Sequence, residues 1–177
     1  MRRQGFTIIE MTVLVAVIGG CAALVYPVVR SEAMRGHRAA AEEQCRQIAV
    51  GLERFLADRE GQREPIPTDP RSGKRLTWLR GPGELPASIP FAEGRKAGSV
   101  DRVLRERDPH AAVWKGPYAE VVSPDPWGHA LVVNLDGLVD RDEHTWILSA
   151  GRNGIVDTPA NSEEIRGDDV GRILRRP

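Results

Sequence analysis

The sequence lacks the features of several common functional classes. Its 25 basic and 25 acidic side chains give a formal net charge of zero, which supplies no electrostatic reason to expect nucleic-acid binding. It contains only 2 cysteines, Cys21 and Cys45. On one continuous helix these two residues would lie roughly 36 Å apart, far beyond the reach of a disulfide. We therefore predict two free thiols, and no metal-ligand spacing involves them.

Catalytic motifs are also missing from the sequence. The 4 histidines are scattered, and no zinc-protease, nucleophile-elbow or phosphate-cradling motif is present. One polar cluster contains Asp140, Asp142, Glu143 and His144, and we interpret it as a solvated turn between strands rather than as acid–base machinery. Asp136, Asp140 and Asp142 could be placed around a cation, but no complete EF-hand pattern supports that interpretation. The sequence therefore predicts a protein that is not an enzyme.

Long apolar runs are absent except at the N-terminus. There, Gly5 to Val29 read GFTIIEMTVLVAVIGGCAALVYPVV. The part from Met11 to Val29 has about the 20 apolar residues that cross a hydrocarbon core of ~30 Å. Glu10 is the only carboxylate within this stretch. Insertion of a carboxylate at the centre of a membrane helix costs about 2.5–3.5 kcal/mol. The cost is smaller near one end, where Glu10 lies, but an ordinary membrane anchor would not carry an acid there.

Glu10 has two interpretations. It is either a tolerated acid at the membrane interface or a buried carboxylate that pairs with a cation. Cleavage after Gly5 would create such a cation, the α-amine of Phe6. Phe6 and Glu10 are then at positions i and i+4 on one helix face. The amine could pair with Glu10 of its own chain or with Glu10 of a neighbouring subunit.

The apolar N-terminal stretch also shares features with two kinds of export signal. A secretory signal peptide has an apolar core of about 7–15 residues, which is shorter than the core found here, and an acid within it is atypical. A lipoprotein signal is the stronger rival, because Ile18 to Cys21 resemble a lipobox and lipidation of Cys21 would replace the spanning helix with an acyl anchor. Against it, Glu10 interrupts the apolar core, and apolar residues continue past Cys21 to Val29.

The helical pattern continues into the polar part of the chain. No proline occurs from Arg30 to Asp58. The apolar residues there fall on one face of an amphipathic helix, at Cys45, Ile48, Ala49, Leu52 and Leu56. We predict one helix from about Phe6 to Asp58 that could bend at Pro27. Its amphipathic part, residues 30–58, requires a folded domain to cover the apolar face.

Residues 59–113 form a region rich in proline and glycine, and its part from Glu60 to Lys96 is predicted to be neither a long helix nor a central strand. We expect an extended surface segment whose apolar side chains pin it to the core, namely Trp78, Leu79, Leu85, Ile89 and Phe91. A short helix is predicted from Ser99 to Arg107, with Ser99 as its N-cap and Val100, Val103 and Leu104 directed inward.

Residues 114–177 are predicted to form β-hairpins followed by a loop. The expected strands are Ala119 to Val122, Ala130 to Leu135 and Thr145 to Ser149, with a hairpin turn at Asp136-Gly137. A segment rich in glycine, asparagine and aspartate follows from Ala150 to Arg172. Together with the long helix, these elements predict an α+β fold with a small antiparallel sheet.

The N-terminal motif resembles a known family. Arg2 and Arg3, followed by the hexapeptide from Gly5 to Glu10, resemble the leader and cleavage site of type IV pilins and type II secretion pseudopilins. The resemblance implies that residues 1–5 are a leader, that a prepilin peptidase cuts between Gly5 and Phe6, and that Phe6 is then methylated. It also implies that residues 6–29 form the transmembrane helix, which becomes the filament core, and that Phe6 and Glu10 act in assembly.

The C-terminal half narrows this resemblance to the major pseudopilin of type II secretion. Its motifs occur in the same order, at Trp114 to Tyr118, Asp125 to Gly128, Ser149 to Gly154 and Gly167 to Val170. The Asp125 motif is interpreted as a tight turn with a packed indole and no chemistry of its own. Residues 60–112 fall outside the resemblance.

The resemblance also implies a calcium site in the loop near the C-terminus. Matching motif to motif, the ligands would include Asn153, Asp168 and Asp169, with Asp157 as an additional oxygen donor. Asn153 stands where the family usually has an aspartate, and the segment from Thr158 to Arg166 is longer than the family's loop. The alternative is a solvated acidic turn.

The function implied is structural. The chain would be anchored once in the cytoplasmic membrane, with its domain in the periplasm, and would stack into a helical filament of identical subunits that drives protein export. The implied partners are the prepilin peptidase, other pseudopilins, inner-membrane assembly proteins and, before assembly, membrane lipid. The alternatives are a pilin or minor pilin of a type IV pilus or related machine, and a membrane-anchored calcium-binding module that never polymerises.

Overall fold

The fold was analysed in a computed structural model that describes residues 7–59, 66–69, 72–107, 114–140 and 144–174. The elements in chain order are α1 (Ile8–Asp58), β1 (Trp78–Arg80), β2 (Gly98–Ser99), α2 (Val100–Arg105), β3 (Val132–Asn134), a 3-10 turn (Asp136–Leu138), β4 (Thr145–Ser149) and β5 (Val170–Leu174). The fold is therefore α+β, as the sequence predicts. The chain divides into two compact units, Met1–His37 and Arg38–Pro177.

The first unit contains the apolar part of α1. Its large apolar side chains are exposed, for example Ile8 at 84% and Leu24 at 77%. Within the residues that the structure describes, α1 is the one helix long and apolar enough to cross a membrane, with a mean hydropathy of 2.4 over its most apolar window. Pro27 lies inside the helix without ending it. This is the arrangement expected of a single-pass anchor, because a spanning helix keeps its apolar side chains on the outside for lipid.

In the second unit, α1 buries one face against the sheet. Four of the five predicted positions are buried, namely Cys45, Ile48, Ala49 and Leu52. Leu56 is only partly buried, and Phe55, which shares the face, is buried in its place. Both thiols are free: Cys21 is exposed, and Cys45 is buried. Burial raises the pKa of the Cys45 thiol to about 12.

The second unit is built on a 5-stranded sheet of order β2-β1-β3-β4-β5. The β1–β2 pair is parallel, and the other three pairs are antiparallel. Side chains alternate between the two faces. Val133 and Ile147 belong to the core formed with α1 and α2, while Val132, Trp146 and Leu148 belong to a second core on the other face, together with Phe91 and Val156.

The prediction that the segment from Glu60 to Lys96 contains no central strand is wrong. Strand β1 lies between β2 and β3, and its Leu79 is directly opposite Val133. The exclusion of central strands by proline does not apply to β1, because β1 has only 3 residues and none of them is proline. Trp78, Leu79 and Phe91 are buried as expected, but Leu85 is 42% exposed and does not help to pin the segment.

Three further predictions in the C-terminal half also need correction. The described residues from Ala119 to Val122 do not form a strand, because no neighbouring strand pairs with them. The expected hairpin turn at Asp136 is a 3-10 turn that extends to Leu138. The predicted loop ends before Arg172, since Val170–Leu174 form β5 and pair along their whole length with β4. In the last case, pairing between distant residues overrides the local pattern.

Helix α2 begins as predicted. The Ser99 hydroxyl accepts a hydrogen bond from the Arg102 amide, and Val100 and Leu104 are buried while Val103 is partly buried.

We expect Ser99→Ala to lower the free energy of unfolding by about 1 kcal/mol, because it leaves the Arg102 amide without its cap. Urea denaturation of the detergent-solubilised chain measures this. Ser99→Asp is the matched control and should retain the wild-type value; an equal loss in both variants would contradict the capping role.

Candidate functional sites at the helix start and in the acidic loop

The first site is the start of α1. Gly5 and Phe6, the predicted processing residues, lie outside the described residues. Thr7 and Glu10 form a reciprocal capping box. The Glu10 carboxylate oxygen Oε2 accepts hydrogen bonds of 2.8 Å from the Thr7 amide and of 2.8 Å from its hydroxyl, while the Glu10 amide donates to Thr7 Oγ1 over 3.2 Å. Sequence reasoning missed Thr7, although Thr-x-x-Glu before an apolar run is a known sign of a helix start.

This geometry leaves Glu10 able to receive a cation. Both of its accepted hydrogen bonds end on Oε2, so Oε1 has no hydrogen-bond partner in the described part of the chain. The carboxylate also lies at the positive end of the helix dipole, which favours a negative charge. The capping box alone is therefore a sufficient structural reason for an acid at this position, and a pairing role must be tested separately from it.

The second site lies where β4 and β5 meet. Ser149, the last residue of β4, is paired with Val170, the first residue of β5, so the chain after β4 and the chain before β5 come together. There, one carboxylate oxygen from each of Asp157, Asp168 and Asp169 lies within 4.8 Å of the other two. We call these three residues the acidic cluster. All three are among the metal ligands predicted from the sequence.

Asp169 is fully buried. Its Oδ2 accepts hydrogen bonds from the Asp157 amide at 3.0 Å, the Thr158 amide at 2.8 Å and the Thr158 hydroxyl at 2.7 Å. Burial raises the pKa of Asp169, these hydrogen bonds oppose the rise, and the negative charge of Asp157 adds to it. A nearby positive charge would stabilise the ionised form of a carboxyl group in this position.

Two oxygens of the acidic cluster accept no hydrogen bond within the described ranges of the chain. Asp168 Oδ2 accepts from the Asn153 amide at 3.0 Å, but Oδ1 of Asp168 and Oδ1 of Asp169 are buried without a hydrogen bond from any described residue. An unsatisfied buried polar group costs about 1–3 kcal/mol. A cation with oxygen ligands at about 2.3–2.6 Å places its ligands up to ~5 Å apart, so the spacing of the acidic cluster is compatible with a metal ion, without distinguishing calcium from others.

Asn153, the fourth predicted ligand, is also at the acidic cluster. Its Oδ1 accepts from the Ile155 amide at 2.7 Å, and its Nδ2 donates to Asp157 Oδ2 at 3.2 Å. It therefore fixes the turn and bridges to Asp157. Whether it also supplies an oxygen to a metal stays a prediction.

Two glycines allow the acidic cluster to form, and sequence reasoning assigned them no role. Gly151 has a φ of 61°, and a Cβ there would collide with the carbonyl oxygen of Asp168. Gly167 has a φ of 64°, and a Cβ there would collide with Asp157 Oδ2. At both positions the left-handed backbone and the close approach require glycine.

The Asp125 motif supports the same loop. The predicted tight turn is present, with the buried Asp125 side chain accepting from the Trp127 amide at 3.0 Å and the His129 amide at 2.8 Å. Asp125 also accepts from the Ser149 hydroxyl at 2.5 Å, and His129 Nδ1 lies 3.1 Å from the Gly151 carbonyl oxygen. The turn thus contacts the end of β4 and Gly151, at the start of the loop that carries the acidic cluster, a role that no local pattern reveals.

The polar cluster around residue 140 is only partly described. Asp136 forms an ion pair with Arg95, while Asp142 and Glu143 lie outside the described residues. The His144 carbonyl oxygen accepts from Asn134 Nδ2 at 3.1 Å. The Arg95 guanidinium already provides the counter-charge of Asp136, so Asp136 gives no support to a cation site at this turn.

The chain has no match among family models, curated proteins or solved structures.

Proposed function

We propose that the chain is a structural subunit of a periplasmic filament that drives protein export by type II secretion, similar to a major pseudopilin. The observation that carries the proposal is the N-terminal sequence, in which a basic leader and the Gly5-Phe6 junction precede a long apolar run with one acid, Glu10. The exposed apolar part of α1 supports it, because such a helix needs either lipid or other copies of itself as its surroundings.

In the proposed mechanism, α1 has two successive environments. Before assembly its apolar part lies in the cytoplasmic membrane, where the prepilin peptidase removes residues 1–5. Inner-membrane assembly proteins then transfer the subunit to a filament with other pseudopilins, and its apolar surface packs against neighbouring α1 helices. The Phe6 amine of one subunit would pair with Glu10 of another, so that neither charge is buried alone.

Calcium is the proposed ligand of the acidic cluster, held by Asp157, Asp168 and Asp169 with Asn153 beside them. It would neutralise carboxylates that now face one another and would bind the two unpartnered oxygens. It would thereby clamp the long connection between β4 and β5, which contains few large apolar side chains. The ion has a structural role in this proposal.

The acidic cluster is also compatible with a second function. Calcium binding by the acidic cluster does not require polymerisation, so a membrane-anchored calcium-binding module could contain the same cluster. A pilin or minor pilin of a type IV pilus would share the N-terminal motif. Quantifying the protein in purified filaments separates these functions: a main component is a major subunit, a trace component is a minor one, and absence from filaments favours the calcium-binding module.

Processing provides a direct test of the proposal. We expect the membrane-extracted protein to begin at a methylated Phe6, because the junction follows a short basic leader. Intact-mass analysis detects the loss of residues 1–5 and the added methyl group. Cys21→Ser is the matched control, since it removes the lipidation site that a lipoprotein signal would need and should leave the mass otherwise unchanged. A mature chain that begins at a lipidated Cys21 would end the pseudopilin proposal.

A further inference from the structure

Strand β5 has an open edge. It pairs with β4 on one side, and no other strand described in this structure lies on its other side. A groove runs along the edge at Gly171, Arg172 and Ile173. Three carboxylates, those of Glu53, Glu163 and Glu164, line the groove around Arg172, so its net charge is negative. An unpaired strand edge of this kind is a template for another strand.

A second strand template lies at Ala119 to Ser123. Its ends are fixed, because the Tyr118 amide donates to the Leu104 carbonyl at 2.7 Å and the Asp125 amide donates to the His129 carbonyl at 2.8 Å. Between them, no backbone hydrogen bond joins residues 119–123 to any other described residue. The segment contains two consecutive valines, a composition typical of strands, and Val121 is 70% exposed. Its local sequence favours a strand, and no strand in the described part of the chain pairs with it.

The two templates have opposite charge. The groove beside residues 119–123 is lined by Arg46, Arg54 and Glu120, whose net charge is positive. Arg46 is paired with Glu43 on the same helix. Arg54, Glu120 and Arg172 have no ion-pair partner in the described ranges of the chain. One segment therefore offers an unpaired acid, Glu120, at a bend that must straighten on pairing, and the other offers an unpaired base, Arg172, in the middle of β5.

We propose that β5 of one copy of this chain pairs antiparallel with residues 119–123 of a second copy, with Arg172 opposite Glu120. Oppositely charged residues directly across two strands attract one another. In this register Val121 is opposite Gly171, which has no side chain, so the exposed valine is accommodated. The antiparallel arrangement is also slightly more stable per residue than the parallel one.

This contact joins two different surfaces of the same protein. Two paired copies still have one free β5 edge, on one copy, and one free 119–123 segment, on the other. Pairing therefore continues from copy to copy instead of closing in a dimer. The inference deepens the proposed function by naming a contact between subunit domains, and it rests on that function only for the claim that the contact occurs in a filament.

Cysteine cross-linking tests the register. Residues directly opposite across antiparallel strands have Cα atoms about 4.5–5.5 Å apart, within the range of a disulfide. We expect the full chain carrying Glu120→Cys and Arg172→Cys, in a Cys21→Ser background and in its host membrane, to give a ladder of dimers, trimers and larger species on oxidation. Cys45 is buried and can remain. A mixture of the two single-cysteine chains should stop at dimers, and the absence of cross-links in both samples would overturn the proposal.

Charge reversal tests the same pair without a disulfide. Glu120→Arg alone or Arg172→Glu alone places like charges opposite each other, and we expect the yield of assemblies captured by amine cross-linking to fall at least about fivefold. The double variant restores opposite charges and should recover the wild-type yield. Matched reversals outside the pair, such as Glu106→Arg, should have no effect. Failure of the double variant to recover while each single variant folds normally would contradict the pairing.

The outcomes separate this inference from the proposed function. Filaments of wild-type protein without the ladder would overturn the strand contact and leave the filament function intact. A ladder without filaments would support the contact and overturn the filament function. Absence of both would overturn both.

Discussion

Calcium is expected to raise the melting temperature of the soluble domain, expressed from Ser31 onward, by about 5–10 °C over the value in chelator. Binding to the folded form alone contributes RT ln(1 + [L]/Kd), which is about 2.7 kcal/mol at 100 Kd. For a domain of this size each kcal/mol corresponds to a few degrees. Differential scanning fluorimetry in calcium and in chelator measures the difference.

The gain has a specific physical source. In the metal-free domain the pKa of Asp169 is raised above its ordinary value of 3.8 by burial. This carboxyl therefore contributes stability below its ordinary pKa, and the contribution is lost as pH rises through the raised pKa. At neutral pH the metal-free domain carries that cost together with the two unpartnered oxygens of Asp168 and Asp169. A bound cation removes both costs at once.

Substitutions within the acidic cluster should abolish the calcium effect. Asp168→Ala with Asp169→Ala removes it but also removes the acceptor of three hydrogen bonds at Asp169. Asp157→Asn with Asp168→Asn is the sharper pair, because it removes two charges and leaves Asp169 in place. Glu163→Gln is the matched control on the same loop and should keep the full shift. If the wild-type domain melts at one temperature in both buffers across millimolar calcium, the acidic cluster is only a solvated turn.

The parts of the fold that were predictable are those set by local sequence. Helix α1 follows from its apolar spacing and the absence of proline after Arg30, and α2 follows from the Ser99 cap. The family resemblance groups Asn153, Asp168 and Asp169, and Asp157 joins them because it lies in the same loop. Strand β4 was predictable because its five residues carry a strong strand pattern.

The remaining features depend on residues that are distant in sequence. Strand β1 is stabilised by β3, which lies more than fifty residues later in the chain, and β5 is recognisable as a strand only beside β4. The bond from Ser149 to Asp125 and the contact of His129 with Gly151 likewise join separate elements. The segment at 119–122 shows the converse case, in which the sequence favours a strand but none of the described strands pairs with it.

Removal of the Glu10 charge is expected to reduce filament yield at least about tenfold. An unpaired charge left in an apolar interior costs about 3–5 kcal/mol, and each 1.4 kcal/mol is a factor of about ten in an association constant. Glu10→Gln should nevertheless insert normally, because a neutral side chain enters the membrane more easily than a charged one. The measurements are the yield of filaments purified from the cell envelope and the fraction of the protein in the membrane pellet.

The capping box supplies the control that isolates the charge. Glutamine can replace glutamate in a capping box, so Glu10→Gln retains the helix start and loses only the charge. Thr7→Ala does the reverse, since it removes a capping partner of Glu10 and keeps the carboxylate. If Glu10 acts by pairing with the Phe6 amine of a neighbour, Glu10→Gln abolishes filaments and Thr7→Ala largely preserves them. Equal loss in both variants would assign Glu10 to the helix start, and normal yield in Glu10→Gln would exclude the pairing.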